Sequence, residues 1–325
     1  AQMQTSRGLD QGLFKATVGQ YDFLRAVAAD SFAVGSGDLL MGGELRSYEG
    51  PWQDIDEDLE LYKALVRYTR ETDSGDVWNV AFMAYDASWN SADQIPRRAV
   101  EQNIIDRRGS LDTTVGGESS RYSLSAGWLR NTADATWRAR AYIIDYDLDL
   151  LSNFTYFLDD TVDGDQFQQI DDRVIYGGDL RLQVGEAMGK GQMQHSFGAE
   201  FRYDDIAEVA LNRTVAGSFA STVRQDSVAE GSLGLYYENQ YAWTDKLRSV
   251  LGVRYDYYDF DVSSNIAVNS GENDDSLVSP KLALIYTWSD DTELYANGGY
   301  GMHSNDARGT TIQVDPVTLD PVDTV

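Results

Sequence analysis

The 325-residue chain contains no cysteine and only two histidines. The lack of cysteine excludes disulfides, thiolate metal sites and a cysteine nucleophile, but it leaves the cellular compartment open. The two histidines, His195 and His303, lie far apart in sequence, which disfavours a shared metal site or a catalytic pair. We therefore predict that the chain is not an enzyme and has no cofactor and no resident metal.

Basic residues are scarce: 26 lysines and arginines face 53 aspartates and glutamates, a formal net charge of −27. An acidic surface repels phosphate, so we expect no nucleic-acid partner. No stretch approaches the roughly 18 apolar residues of a membrane helix, and the first residues lack the pattern of a signal peptide. A membrane barrel stays possible, because alternating strands give a mean hydropathy as low as the observed −0.41.

Alternation of apolar and polar residues is the recurring signal. In 247–257 the apolar face holds Leu251, Val253 and Tyr255, while Arg248 and Arg254 lie on the other face. The same period recurs at 232–243 and 280–288. The pattern predicts little helix and about thirteen strands. Their predicted starts lie near Leu13, Phe23, Leu39, Leu59, Val77, Arg121, Thr136, Arg173, Met193, Ser227, Lys246, Leu277 and Thr292.

The connections between these strands alternate in length, with the first link, 19–22, as the exception. Short turns are predicted at 34–38, 72–76, 131–135, 185–191, 244–245 and 289–291. Long loops are predicted at 49–58, 90–120, 148–172, 204–226 and 259–276. A meander with tight turns at one end and long loops at the other is typical of outer-membrane barrels. Five of the seven tryptophans lie close to the short turns, which indicates an interfacial girdle; the alternative is tryptophan packed in the core of a soluble sandwich.

Several motifs resemble the barrel of TonB-dependent outer-membrane receptors. The tail MHSNDARG (302–309), preceded by SPKLALIY and ELYANGGYG, is similar to a stretch near the middle of that barrel. Upstream, RSYEGPW (46–52), SADQIPRRAV (91–100) and SSRYSLSAGW (119–128) resemble further pieces of it in the same order. The resemblance extends from about Gly12 to Gly309.

The resemblance implies an all-β, antiparallel, up-and-down transmembrane barrel with short periplasmic turns and long extracellular loops. The family's barrel has about 22 strands and an N-terminal plug. We therefore expect residues 1–325 to be a partial barrel domain, a fragment that lacks the plug and the C-terminal strands. In this interpretation SNDARG begins an outer loop.

The implied function is that of an outer-membrane receptor of a Gram-negative bacterium. It would bind a scarce solute, such as a siderophore, metal chelate, cobalamin or glycan, and import it with TonB-coupled energy. Implied partners are the TonB–ExbB–ExbD complex through the plug, lipid and lipopolysaccharide, and the small solute, with the receptor as a monomer. The alternative is a porin or passive channel; an outer-membrane protease or lipase comes third.

Two sets of candidate site residues follow. The family signature comprises Ser304, Asn305, Asp306, Ala307, Arg308 and Gly309. Possible ligand-binding cations in the longest loop are Arg97, Arg98, Arg107 and Arg108, which could grip an anion, although pairing with neighbouring acids is the favoured alternative. Acidic runs at 54–60, 159–165 and 272–275 are interpreted as solvated loop surface, with calcium or cation-bridged lipopolysaccharide as alternatives.

The barrel interpretation also assigns the two faces of the wall. We expect Leu247, Leu251, Val253 and Tyr255 to face lipid, and Arg248, Arg254, Glu200, Arg202 and Arg181 to line the lumen. A register shift of one residue would move every side chain to the opposite face, so the structure tests this assignment directly. A two-sheet core that buries Leu251, Val253 and Tyr255 would contradict it.

Overall fold

Within the part of the chain that the structure describes, thirteen strands form one antiparallel sheet in which every strand pairs with the next one in sequence. The computed structural model describes residues 6–188, 191–301 and 306–324. The strands are β1 (Leu13–Val18), β2 (Leu24–Val34), β3 (Gly37–Tyr48), β4 (Leu59–Glu71), β5 (Val77–Asn90), β6 (Gly116–Asn131), β7 (Ala135–Ser152), β8 (Phe167–Met188), β9 (Gly191–Val215), β10 (Ser218–Ala242), β11 (Leu247–Ser264), β12 (Gly271–Ser289) and β13 (Thr292–Gly299). The predicted up-and-down meander is confirmed.

Helix is scarce in the part of the chain that the structure describes. It comprises α1 (Arg97–Glu101) and two single turns of 3₁₀ helix, Ala267–Asn269 and Ala307–Gly309. None of these is long and apolar enough to cross a membrane. The expectation of little helix is therefore confirmed.

The two faces of the sheet differ as the alternation predicts. Leu251, Val253 and Tyr255 are 51%, 43% and 39% exposed and lie in a row on one face of β11. Because successive side chains of a strand point to opposite faces, Arg254 lies on the other face. We call the face of Val253 the outer face and that of Arg254 the inner face. A two-sheet core is thereby excluded for these strands.

The sheet curves around its inner face into a partial barrel. Side chains from β4 to β11 line one common cavity of about 760 Å³. Arg67 of β4 and Arg254 of β11 both contribute to it. The ladder order shows no strand beyond β1 or β13 within the described residues, so these two are the edges of the sheet.

The outer face carries an apolar band of membrane thickness. On β11 the band extends from Leu247 to Tyr257, after which Asp259 and Asp261 take the outward positions. At about 3.3 Å per residue and a tilt of about 40°, these residues span roughly 28 Å. Aromatic residues mark the border of the band at the short-turn end, which we call its lower border: Trp78 packs on Trp128 with ring centroids 5.9 Å apart. The tryptophans near the short turns thus form the predicted girdle.

Tyrosines and carboxylates mark the upper border of this band. The hydroxyl of Tyr62 donates to Glu60, and that of Tyr122 donates to Asp86 across the β5–β6 pair. A ring that packs on lipid and a hydroxyl that reaches a carboxylate suit the boundary between hydrocarbon and water. The outer face therefore changes from apolar to acidic at the long-loop end.

Several predicted loops are wrong, because the strands continue beyond the membrane. The predicted loop 204–226 is strand except for a two-residue turn, Ala216 and Gly217, where both residues have positive φ, 48° and 76°. The predicted loops 148–172 and 259–276 shrink to 153–166 and 265–270. Acidic residues replace the outward apolar ones there, so the row of lipid-facing apolar residues ends before the strands do. The backbone ladder continues, because its hydrogen bonds do not depend on side-chain polarity.

Candidate functional site

Ion pairs cover the middle of the inner wall. Arg254 donates to Glu200 over 2.8 Å and to Asp256 over 2.7 Å. Arg202 pairs with Asp204 at 2.6 Å, and a further pair joins Arg140 to Asp179 at 2.7 Å. The predicted lumen residues Glu200, Arg202 and Arg254 thus lie together on the inner face.

Glycines open the space that these long side chains use. A Cβ at Gly234 would lie 2.1 Å from Nη2 of Arg254, and one at Gly252 would lie 2.6 Å from Cε of Lys281. Lys281 crosses Gly252 and reaches Glu238 on β10. The glycines therefore permit contacts that extend past the neighbouring strand.

Cations also contact neutral partners on this wall. Arg181 donates to the hydroxyl of Ser196 over 3.3 Å, and Arg67 donates to Thr69 over 3.2 Å. Arg138 forms no ion pair with any carboxylate among the described residues. The middle of the inner wall is consequently more basic than the chain as a whole.

A segment after β13 folds onto the inner wall at the long-loop end. We call residues 306–322 the strap. Its Ala307 is 3% exposed and packs in an apolar cluster with Ile206, Val228, Phe260 and Val262. Phe260 and Val262 follow Arg254 at even steps along β11, so the cluster lies on the inner face. The strap therefore covers part of the inner wall at the mouth.

Charge anchors the strap at the same place. Asp226 has a fully buried side chain that pairs with Arg224 at 2.5 Å and with Arg308 of the strap at 3.6 Å. Arg308 also pairs with Asp306 at 2.6 Å. Burial opposes ionisation of Asp306, but its hydrogen bonds with Arg308 hold its pKa below the ordinary value. Asp226, Arg224 and Arg308 thus form one charged cluster beneath the strap.

Asn269 fixes the rest of the strap to the β11–β12 connection. It is fully buried, and its side-chain oxygen accepts from the backbone N–H groups of Gln313 and Val314. Its amide donates to the Val314 carbonyl, and its own carbonyl accepts from Thr311. A single buried amide therefore replaces the strand partner that this stretch of strap lacks.

Asp112 joins three of the outer connections. Its carboxylate accepts from Thr114, from Asn153 at 2.7 Å and from Gln166 at 2.8 Å. Gln166 in turn accepts from Gly217 at the tip of the β9–β10 hairpin. Burial alone would raise the pKa of Asp112, but these hydrogen bonds hold that pKa below its ordinary value. The connections after β5, β7 and β9 are thus held as one unit.

Two neighbours complete this junction. Asp93 accepts from the backbone of Asn153, and burial raises the pKa of Asp93. Tyr156 donates to the carbonyl of Gln94 over 2.8 Å, and burial raises the pKa of Tyr156 to about 12. The tyrosine hydroxyl therefore stays protonated and keeps donating well above neutral pH.

The structure does not gather the four predicted loop arginines into one site. Arg97 pairs with Glu101 within α1 at 2.7 Å, and Arg108 donates to the Tyr21 hydroxyl over 2.8 Å. Arg98 and Arg107 are exposed. Their binding of a ligand stays a prediction. Of the signature residues, Asp306, Ala307, Arg308 and Gly309 lie in the strap, whereas Ser304 and Asn305, like His303, lie outside the described residues.

The acidic run 159–165 organises its own loop. Asp165 accepts from the backbone N–H groups of Leu158 and Asp160, and Asp160 accepts from those of Val162 and Asp163. These hydrogen bonds lower the pKa of Asp160. Across 6–188, 191–301 and 306–324, no group of three or more acidic or histidine side chains is placed to hold a metal ion.

Sequence reasoning missed the roles of Asp226 and Asn269. One signal could have found the aspartate, because Arg-x-Asp recurs at 202–204, 224–226 and 254–256. Residues two apart on a strand share a face, so each motif predicts a pair stacked along the inner wall. Asn269 had no such signal, since its partners lie about 45 positions away.

An all-antiparallel wall with a lipid-like outer face and a charged inner face defines an outer-membrane β-barrel protein. The family described as TonB dependent receptor-like, beta-barrel matches residues 46–321, and the chain belongs to this family. Its members are proteins of the Gram-negative outer membrane, which is therefore the location of this chain. They act as transporters rather than enzymes. No curated protein matches the chain.

Solved structures share the fold. The ferric citrate transporter FecA in its unliganded form superposes with a TM-score of 0.71 at 11% identity, covering 89% of this chain and 43% of FecA. The siderophore receptor PiuA from Acinetobacter baumannii gives 0.75 at 11% identity, with 90% and 50% covered. The ferric yersiniabactin uptake receptor FyuA from Yersinia pestis gives 0.68 at 12% identity, with 90% and 47% covered. The chain spans about half the length of these receptors.

Proposed function

We propose that this chain is the wall and outer mouth of a receptor that binds a scarce solute at the cell surface and imports it with TonB-coupled energy. The observation that carries the proposal is the family match over 46–321. Residues 1–325 would then be the partial barrel domain of a longer receptor that also has a plug and further strands. TonB, ExbB and ExbD would act through that plug.

The inner wall supports this function. A wide, charged inner face with paired side chains, such as Arg254 and Glu200, offers a polar surface that a plug or a passing solute can contact. Siderophores, metal chelates, cobalamin and glycans are the candidate solutes. The solved receptors of similar fold include proteins named for ferric citrate, siderophore and ferric yersiniabactin uptake, which favours a metal chelate among these classes.

A passive porin is the rival function. A pore needs a continuous aqueous path along its inner face, whereas the strap covers the inner wall at the mouth through Ala307 and Arg308. The docked strap therefore favours a receptor over an open pore.

Growth experiments test the proposal. A strain that lacks the receptor is compared with its parent, and with a strain lacking TonB, on single sources of iron, cobalamin or carbohydrate. We expect one source to support growth only when both the receptor and TonB are present. The proposal fails if no source depends on the receptor and if liposomes that contain it pass small solutes without TonB.

A further inference from the structure

A cleft of about 530 Å³ lies between the strap and the inner wall of β8, β9 and β10. We call it the strap cleft. Its apolar walls are formed by the strands and by the strap, namely Ile170, Ile206, Val209, Leu211, Val223, Val228, Ala307, Pro316 and Val317. A volume of this size accommodates a small molecule, and predominantly apolar walls with a few polar groups are typical of ligand sites.

Charged groups line one side of the strap cleft, and its guanidinium groups are already paired. Arg173 pairs with Asp171 at 2.5 Å and with Asp204 at 3.6 Å. Arg224 and Arg308 share the buried carboxylate of Asp226. Each arginine of the cleft therefore already has a carboxylate partner.

Carboxylates outnumber guanidiniums around the cleft. With lining residues and their ion-pair partners counted together, Arg173, Arg202, Arg224 and Arg308 face five carboxylates, an excess of one negative charge; the carboxylates are Asp171, Asp204, Asp226, Asp306 and Glu230. The excess of negative charge disfavours an anion inside a partly desolvated cleft and favours a neutral or positive group there.

We propose that the strap cleft is a binding site for an uncharged or cationic amphipathic solute, whose apolar part packs against Leu211, Val223 and Val317. The proposal rests on the proposed receptor function, because it names the class of solute that this mouth accepts. In this proposal the signature residues Asp306 and Arg308 hold the strap, which covers the site, on the inner wall.

Two probes of similar size and opposite charge test the site. Tetraphenylphosphonium and tetraphenylborate are equilibrated with the receptor, isolated from outer membranes and placed in nanodiscs, and bound probe is measured by equilibrium dialysis. We expect saturable binding of the phosphonium that is on the order of tenfold tighter than that of the borate. Equal or tighter binding of the borate overturns the proposal, and so does the absence of saturable phosphonium binding.

Matched leucine variants locate the binding. Leu211→Trp fills the cleft from its β9 wall, whereas Leu251→Trp makes the same change on the lipid-facing side of β11 and corrects for uptake of probe by lipid. We expect Leu211→Trp to weaken phosphonium binding at least tenfold and Leu251→Trp to leave it unchanged. Unchanged binding by Leu211→Trp places the probe elsewhere and overturns the site.

A designed disulfide reports whether the strap stays docked. A Cβ built on Gly271 lies 3.8 Å from the Cβ of Thr311, which matches the mean Cβ separation of about 3.8 Å in disulfides. The pair Gly271→Cys and Thr311→Cys should therefore cross-link with and without Leu211→Trp. The chain has no other cysteine to interfere.

A second measurement, maleimide labelling of single cysteines, changes one residue at a time and leaves the rest of the cleft lining unaltered. Val317→Cys places a thiol in the cleft, and Val322→Cys places one elsewhere on the strap. We expect the phosphonium, but not the borate, to slow maleimide labelling of Val317→Cys several-fold while Val322→Cys labels at an unchanged rate. Equal effects at both positions overturn the proposal. This binding needs neither TonB nor energy, so its failure would leave the growth test of the receptor function intact.

Discussion

Arg254 on β11 forms an ion pair with Glu200 on β9, two strands away, over 2.8 Å. Neighbouring strands lie about 4.8 Å apart, so the contact spans about 9.6 Å of sheet. It passes over Gly234 on β10, where any side chain would occupy the path of the guanidinium. The inner wall is thus tied across three strands by side chains as well as by its backbone ladder.

Gly234→Ala should break this contact. Its methyl group would displace the guanidinium of Arg254, although Asp256 can keep its own hydrogen bond to that arginine. Because both partners are partly exposed, we expect a loss of less than about 1 kcal/mol in the free energy of unfolding. Urea unfolding in lipid vesicles measures it. Gly231→Ala on the same strand, where the nearest atom lies 3.9 Å away, is the control. A cost that persists in a Glu200→Gln background would contradict this explanation.

Val253→Arg should destabilise the barrel much more than Val250→Arg does. Val253 lies on the outer face within the apolar band, whereas Val250 lies on the inner face of the same strand. A lipid-facing arginine near the membrane centre costs about 2–4 kcal/mol, while substitutions facing the lumen cost far less. Tryptophan fluorescence during urea unfolding compares the two variants. Similar costs would mean that the faces are wrongly assigned.

Asp112→Ala should loosen the loop that follows β5. The change removes the acceptor shared by Thr114, Asn153 and Gln166, and the side-chain amides of the buried Asn153 and Gln166 lose this partner. Trypsin cleaves after arginine, and this loop presents Arg97, Arg98, Arg107 and Arg108. We expect its cleavage in intact cells or vesicles to accelerate on the order of tenfold. Thr113→Ala, an exposed neighbour, should cleave like the unchanged receptor; equal rates for both variants would rule out the junction.

Tyr156 gives the same junction a pH dependence. Burial raises its pKa from 10 to about 12, so the neutral hydroxyl is the stabilised form. The contribution of this hydroxyl to the free energy of unfolding is complete below pH 10 and is lost as the pH rises towards 12. In the difference between the ultraviolet titrations of the unchanged receptor and Tyr156→Phe, we expect tyrosinate absorbance to rise near pH 12. A rise near pH 10 would show that the hydroxyl is not buried.

The sequence predicts the middle of each strand well and the ends poorly. Between Leu247 and Tyr257 the membrane itself enforces alternation, because one face meets hydrocarbon and the other meets water. Beyond Tyr257 the outward positions become acidic, and the apolar residues Phe260 and Val262 lie on the inner face beneath the strap, so the alternation changes phase and no longer marks a lipid-facing strand. The strand starts near Val77 and Thr292, which follow short turns at the border of the apolar band, agree with the structure for the same reason.

The candidate site is harder to predict than the wall, because its contacts are long-range and its residues are ordinary in type. Asp226 resembles any other loop acid in the sequence, yet it is buried between Arg224 and Arg308, the latter more than 80 positions away. The loop arginines draw attention by clustering in sequence, but Arg97 and Arg108 find different local partners. Motif resemblance located the signature at 304–309, but not the inward docking of its described residues 306–309.

The order of the strands has a consequence for how such walls change size. Since each strand pairs only with its neighbours in the chain, a whole hairpin can be removed or duplicated without altering the register of any other pair. Each such event changes the width of the sheet, measured perpendicular to its strands, by about 9.6 Å, twice the strand spacing, and keeps every remaining side chain on its own face. The hairpin is therefore the unit in which a barrel of this kind can be widened, narrowed or recombined with another, whereas a single added strand would reverse the direction of all that follow.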